Sequence, residues 1–409
     1  MNEYIETSSL PHYSSVDETD DAPSLTLPSE IMSSSDPTYG SRVRRIAQAI
    51  HTEVYLANRF ISEDQLDPEG VFIDEYSSRS DYVVSEKDNR RSACRYIHAS
   101  KKGGILSLPT AQHFSVNPQI IKEAAGIHRL SDLKPREVIE VSGLASVRLD
   151  GETEYSSQSS KLDATRLLYA SILRHSLDGG HKLWLLNTDK YLLRSLELLI
   201  GKEQIHRLGE EAEYMGPPTI PVAINPQDVV RAAFADTTNF GVMKQQYLRE
   251  ELPGVSTKYL SNETKAVLIE NNIELNEESK MKRLLTNRRV LAYTAIIGYS
   301  SLRALPTAGV EEFHGSVPLL WGIDVGTAVP YTWGLIETVA AKKISRRVAG
   351  GAVAAGSFVA PYAYFWAEGQ DYPPCINAIA GGLIGLATTL EISKVRRDNK
   401  IARSLQATP

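Results

Sequence analysis

An open α/β sheet with crossover helices, followed by an all-α transmembrane four-helix region, is the architecture this sequence predicts. Between residues 137 and 224, β-branched runs alternate with helix-spaced runs across short connections. That is the layout of a sheet whose helices return the chain to neighbouring strands. After residue 289, four apolar stretches follow one another, each near the length that crosses a bilayer core. Open α/β sheets bind ligands at the carboxyl ends of their strands, where neighbours part. A site is therefore expected there.

At 409 residues the chain has room for two or three domains. Its 44 basic and 50 acidic residues give a net charge of −6, so no global attraction to nucleic acid is expected. Residues 1–41 hold eight acidic residues and no Lys or Arg. Such low hydrophobicity and one-sided charge predict a disordered acidic tail. No basic start precedes an apolar core, so no cleaved signal peptide is expected. Cys94 and Cys375 stand far apart and suggest neither a disulfide framework nor a metal cluster; Cys94 reads as a small buried strand residue. The nine histidines show no ligand spacing, and no metal is predicted. His175 and His181 flank Asp178-Gly179-Gly180 at a helix end, where a cation suits the dipole.

In chain order, residues 42–58 carry apolar side chains at helical spacing and predict an amphipathic helix. Residues 81–85 and 93–97 read as a hairpin joined by a charged turn. Ile105 to Thr110 reads as an edge or terminating strand, given its Pro. Residues 137–147 form a β-branched strand, with Gly143 marking a possible bulge. A helix over 162–176, a strand over 182–187, a helix over 191–200 ended by Gly201, and a strand from 205 to 208 follow. Residues 214–224 are interrupted by Pro, so only their end can pair as a strand. Residues 226–289 read as a helical connector broken at Pro253-Gly254.

The apolar stretches at 290–308, 317–341, 348–366 and 376–392 predict four membrane spans within a region 290–393. Basic residues precede the first span, lie between the second and third, and follow the fourth in a tail at 394–409. The other two loops hold Glu311, Glu312, His314, Glu368 and Asp371. Positive charge marks the cytoplasmic side. The expectation is an integral protein of the cell or inner membrane with both termini and the α/β domain cytoplasmic, and the lipid bilayer as a partner. Gly322 and Gly326 flank Asp324, and Gly381 and Gly385 repeat that spacing, as for close helix packing.

Asp81-Tyr82, Ser92-Ala-Cys-Arg-Tyr-Ile97, Leu106-Ser-Leu-Pro-Thr110 and Glu137-Val-Ile-Glu-Val-Ser142 stand in an order that resembles a known family. It is the acyltransferase branch of N-acyl-amino-acid synthases and acyl-homoserine-lactone synthases. The resemblance spans about residues 42–225. It implies a GNAT-like N-acyltransferase domain with a central mixed twisted sheet. It also implies transfer of a fatty acyl group to an amino group of an amino acid or related amine. The donor would be a thioester on acyl carrier protein or coenzyme A (acyl-ACP or acyl-CoA), with no permanently bound cofactor.

The chemistry names its own requirements. An amine attacks a thioester only when neutral, so a carboxylate must accept its proton. The developing oxyanion needs preorganised N–H donors, and a bulged strand beside the site supplies them. Glu140 is the expected base or amine anchor; a solvated edge carboxylate is its bland alternative. Arg95 would fix a substrate carboxylate bidentately, or pair with Asp81 or Glu140. Asp81 is a weaker copy of the Glu140 argument. Ser142, Gly143 and Leu144 are the expected donor-binding stretch. Tyr191 and Tyr214 are candidate acids for the leaving thiol, or core aromatics. Two departures from the family stand out. Its Arg a few residues after the glutamate is replaced by Gly143-Leu144, and the turn at 151–161 is acidic where acetyl-CoA enzymes have a Gly-rich phosphate cradle. The second departure favours a carrier-bound acyl group over acetyl-CoA. A catalytically inactive GNAT-like ligand-binding or sensor domain on a membrane bundle is the alternative reading.

Overall fold

The structure, a computed structural model, describes residues 37–87, 90–148, 158–277, 285, 287–303, 315–341, 343–369 and 375–407. Most of the expected acidic tail (1–36), the loops at 304–314 and 370–374, and the start of the acidic turn at 151–157 lie outside the described residues.

An opening helix α1 (Pro37–Ala57) leads into the expected hairpin, β1 (Ser80–Lys87) and β2 (Arg90–His98), paired antiparallel from Ser80–Ile97 to Lys87–Arg90. The stretch read as a terminating strand instead forms a 3-10 turn at Ile105–Ser107 and a short helix α2 (Pro109–His113). Pro109 occupies a first-turn position of α2, where its missing N–H costs nothing and its fixed φ suits the helix. After α3 (Pro118–Ala124) come the long β3 (Val138–Arg148), α4 (Gln158–Gly179), β4 (Leu183–Thr188) and α5 (Lys190–Ile200). The short β5 (Ile205–Arg207) and β6 (Ala212–Glu213) precede β7 (Pro218–Ile224). The mixed sheet runs β1-β2-β3-β4-β7-β5, with β6 on β7. β3 and β4 are parallel across the α4 crossover, whereas β7 inserts antiparallel between β4 and β5.

Two apolar layers cover this sheet. On one face Tyr96, Ile139, Val141, Trp184 and Leu186 pack with Ile172 and Leu173 of α4 and with Leu193 and Leu196 of α5. Residues 226–277 complete that layer as α6 (Pro226–Ala235), α7 (Asn239–Glu251), β8 (Val255–Ser256), α8 (Asn262–Glu270) and β9 (Leu275–Asn276). Val229, Val230, Leu248, Leu252 and Leu268 are their buried contributions. On the other face Ile97, Val138, Leu183 and Leu185 pack with Leu108, Phe114, Ile121 and Leu130.

The C-terminal third is helical: α9 (Arg288–Arg303), α10 (Val317–Ala340), α11 (Ile344–Ala367) and α12 (Cys375–Gln406). The expectation of transmembrane helices is corrected here: among the described residues no helix is long and apolar enough to cross a membrane. The integral-membrane localisation with cytoplasmic termini and the bilayer as partner are overturned with it. The physical reasons are visible along three of the helices. The described part of α9 spans 16 residues, about 24 Å of rise against a hydrocarbon core of about 30 Å. α10 buries Asp324, Thr332, Glu337 and Thr338. α12 becomes charged past Glu391, and its end enters the second apolar layer through Leu405, with Ile401 and Ala402 packed beside it.

Close helix approach occurs at other glycines than the spacing suggested. A Cβ on Gly334 would lie 2.5 Å from the Gly350 carbonyl oxygen, whereas one on Gly322, Gly326, Gly381 or Gly385 would meet nothing within 4 Å among the described residues. The α10–α11 crossing is thus made at Gly334 and Gly350.

Candidate active site

The sheet opens at Glu140. β3 and β4 pair only over Val138–Leu183, Ile139–Trp184 and Glu140–Leu185. Beyond that point β3 stays with β2 up to Arg148, while β4 stays with β7 up to Thr188. Two strands each held by a different neighbour diverge, and the wedge between their carboxyl ends becomes a cleft of about 140 Å³. Glu140, Ser142, Gly143 and Leu144 of β3, Asn187 of β4 and Asp189 line it, and Tyr55, Phe60 and Tyr214 supply aromatic walls.

Glu140 sits at the apex, only 2% exposed. Thr110 N–H donates to its Oε2 at 2.8 Å and Asn187 Nδ2 donates to its Oε1 at 2.9 Å. Thr110 Oγ1 in turn donates to Asn187 Oδ1 at 2.9 Å, which fixes the amide orientation. The Thr110 N–H belongs to the first turn of α2, where helix N–H groups have no partner within the helix. Both donors favour the carboxylate, but loss of water outweighs them, and burial pushes the Glu140 carboxyl up to about 8. The solvated-edge alternative is not what the structure contains.

The expected bulge is present at Gly143. Ala93 faces Ala145 and Arg95 faces Ser142, so Gly143 and Leu144 of β3 stand opposite the single residue Cys94 of β2. Gly143 has φ +61°, in the left-handed region that favours glycine. His51 of α1 fills the space above it: a Cβ at Gly143 would lie 2.8 Å from the imidazole ring. His51 is buried and its Nε2 has no hydrogen-bond partner among the described residues; burial, with Arg95 nearby, holds it down at about 4.

Arg95 shares a face of the sheet with Ser142 across the ladder, but its guanidinium goes elsewhere. Arg95 Nη2 donates to Asp74 Oδ2 at 2.7 Å, neither to Asp81 nor to Glu140, and Arg95 is absent from the cleft walls. Asp81 sits opposite Tyr96, which sits opposite Val141. Successive side chains alternate faces, so Asp81 points to the α4 side of the sheet, away from Glu140. There it pairs with His98 Nε2 at 2.7 Å, and that contact lowers its carboxyl below the ordinary range. The structure therefore brings Glu140, Ser142, Gly143 and Leu144 together, turns Arg95 to Asp74 outside the lining, and leaves Asp81 out.

His175 and His181 also lie on that α4 side, where His175 stacks on Tyr96 with ring centroids 4.6 Å apart. Burial lowers both, His181 to about 3, so desolvation overrides the helix-end dipole that would favour a cation. Of the two candidate tyrosines, Tyr191 is 86% exposed and outside the cleft, while Tyr214 lines it and burial pushes its phenol up. Sequence reasoning missed Asp74, Thr110, Asn187, Asp189 and His51. The pair Asn187 and Asp189 carried a usable signal, being polar residues that end an apolar strand at its carboxyl edge. Asp74, Thr110 and His51 carried none, because they reach the site through tertiary packing.

No family model matches the chain, and no curated protein matches it. Its structural neighbours are acyl-homoserine lactone synthases. One is a CoA-dependent acyl-homoserine lactone synthase, BjaI, with SAM and isopentyl-CoA: 12% identity, covering 61% of this chain and 92% of that chain, TM-score 0.33. Another is the AHL synthase LasI: 14% identity, covering 47% of this chain and 84% of that chain, TM-score 0.31. A third is TofI in a ternary complex with an inhibitor and MTA: 15% identity, 47% of this chain and 89% of that chain, TM-score 0.29. At such identities and TM-scores the likeness carries no weight of its own, and the chemistry has to be read from the cleft.

Proposed function

We propose that this protein is an N-acyltransferase that moves an acyl group from a CoA or acyl-carrier-protein thioester to an amine bound between β3 and β4. The observation that carries the reading is Glu140: a buried carboxyl at the fork of the sheet, raised to about 8 and held by Thr110 and Asn187. A carboxyl tuned toward neutrality is matched to taking a proton from an amine near pH 7–8.

In this reading the amine nitrogen attacks the thioester carbonyl carbon as its free base. The C–N bond forms and, after collapse of the tetrahedral adduct, the C–S bond breaks. The proton shed by the nitrogen passes to the Glu140 carboxylate and then to the departing thiolate, so charge balances over the cycle. The interrupted ladder at Gly143-Leu144 provides backbone N–H groups for the oxyanion. Arg95, paired with Asp74, adds positive potential at Glu140.

The test is mass spectrometry of products after incubating the full chain with acyl-CoA or acyl-ACP donors and a panel of amines. An amide and one equivalent of free thiol are expected. Glu140→Gln is expected to slow turnover by about 10²–10⁴-fold, the range a positioned base contributes. No amide from any donor–amine pair, with the protein folded, would overturn the reading.

A further inference from the structure

Resting on the reading of the cleft as an acyl-transfer site, we infer that its acceptor is a cationic amine that carries no carboxylate group. Among the described residues the lining includes two acids, Glu140 and Asp189, and no Lys, Arg or His. Arg95, the residue the sequence offered as a carboxylate clamp, is turned to Asp74 and does not reach the lining. An α-amino acid would bring a further carboxylate beside Asp189 with no Lys, Arg or His in the lining to pair with it, and like charges in a partly desolvated wedge repel.

The same walls suit an ammonium group. Asp189 caps α5 with one oxygen only: Oδ1 accepts from the N–H groups of Tyr191 and Leu192. Its Oδ2 has no hydrogen-bond partner among the described residues, and Asp189 is part-exposed at the cleft. Tyr55 and Phe60, with ring centroids 5.7 Å apart, and Tyr214 present aromatic rings to the same space. Aromatic faces attract cations and offer nothing to an anion. The cleft thus attracts a protonated amine by a carboxylate and π-faces; the ammonium loses its first proton to solvent, and the free base attacks with Glu140 in the floor taking the second.

Three matched pairs that differ by one carboxylate test this: agmatine and arginine, cadaverine and lysine, tyramine and tyrosine. Each is titrated calorimetrically into the full chain at pH 7 without an acyl donor. At least one amine is expected to bind at least about tenfold tighter than its amino acid, the factor a modest charge repulsion gives. Asp189→Asn is expected to shrink that advantage while leaving α5 capped, because Asn caps as well as Asp. Amino acids that bind as tightly as their amines, heat from no pair, or an advantage unchanged in Asp189→Asn would overturn the inference. Loss of acyl transfer with this preference intact would remove the proposed reaction alone. Acylation of arginine, lysine and tyrosine as fast as of their amines would remove the specificity alone.

Discussion

Replacing Glu140 with Gln is expected to change the pH dependence of stability as well as turnover. Folding raises this carboxyl from 4.5 to about 8. Between those values the unfolded chain has lost the proton that the folded chain retains, so stability falls as pH rises. His51 and His181 act in the opposite sense, because folding lowers them from 6.5 to about 4 and about 3. Below pH 6.5 the unfolded chain takes up protons that the folded chain refuses, so stability falls as pH falls. The window from 6.5 to 8 therefore isolates Glu140. Urea midpoints of the wild type are expected to decline across it, and those of Glu140→Gln to decline less. At the neighbouring bulge, Gly143→Ala is expected to cost about 1–2 kcal/mol for a side chain in left-handed backbone, and more because its Cβ would press on His51. Urea unfolding measures it.

At the scale of elements, what the sequence revealed and what it hid have physical causes. The hairpin, β3, α4, β4 and α5 were legible because their patterns are local: alternation or helical spacing bounded by turn residues. Glu140 and Gly143 were legible because a β-branched run interrupted by Gly is itself a bulge signal. α2 was misread because Pro109 both ends strands and starts helices, and only tertiary pairing of the Thr110 N–H with Glu140 decides between them. Asp81 was misplaced because face assignment depends on register, which single strands do not encode. The four apolar stretches were misread because composition alone does not tell which polar residues turn inward. Asp324, Thr332, Glu337 and Thr338 on α10 do so. Gly334→Leu is expected to separate α10 from α11, since even a Cβ there would lie 2.5 Å from the Gly350 carbonyl oxygen. Amide hydrogen exchange would register this as lost protection in both helices, whereas Gly322→Leu, with no described atom within 4 Å of its Cβ, is expected to leave protection unchanged.

At the scale of the whole molecule, α12 ties the C-terminal helices to the sheet. Glu391 accepts from Arg129 Nη2 at 2.5 Å and also pairs with Arg347 of α11, so one carboxylate joins the turn at Leu130–Asp132 to two helices. Asp398 accepts from the Ser131 N–H and lies 3.5 Å from Lys122 Nζ. The Leu405 carbonyl accepts from the Val116 N–H at 2.8 Å, and its side chain is fully buried. Leu405→Ala is expected to cost about 2–5 kcal/mol, the range for emptying a buried leucine site. A urea titration followed by a probe in the sheet domain would report the loss, although the residue lies near the chain's end. If only the helical region lost stability, the joint would not couple the two parts.

The most direct test of the central reading is the pH–rate profile of acyl transfer in wild type and Glu140→Gln. With Glu140 as the base, kcat/KM in wild type is expected to show a limb near pH 8 on top of the rise from the amine's own ionisation, because only the ionised carboxylate accepts the amine proton. In Glu140→Gln that limb is expected to vanish, leaving a slow residual rate set by the amine alone. A variant that retains both the wild-type rate and its limb would contradict the assignment.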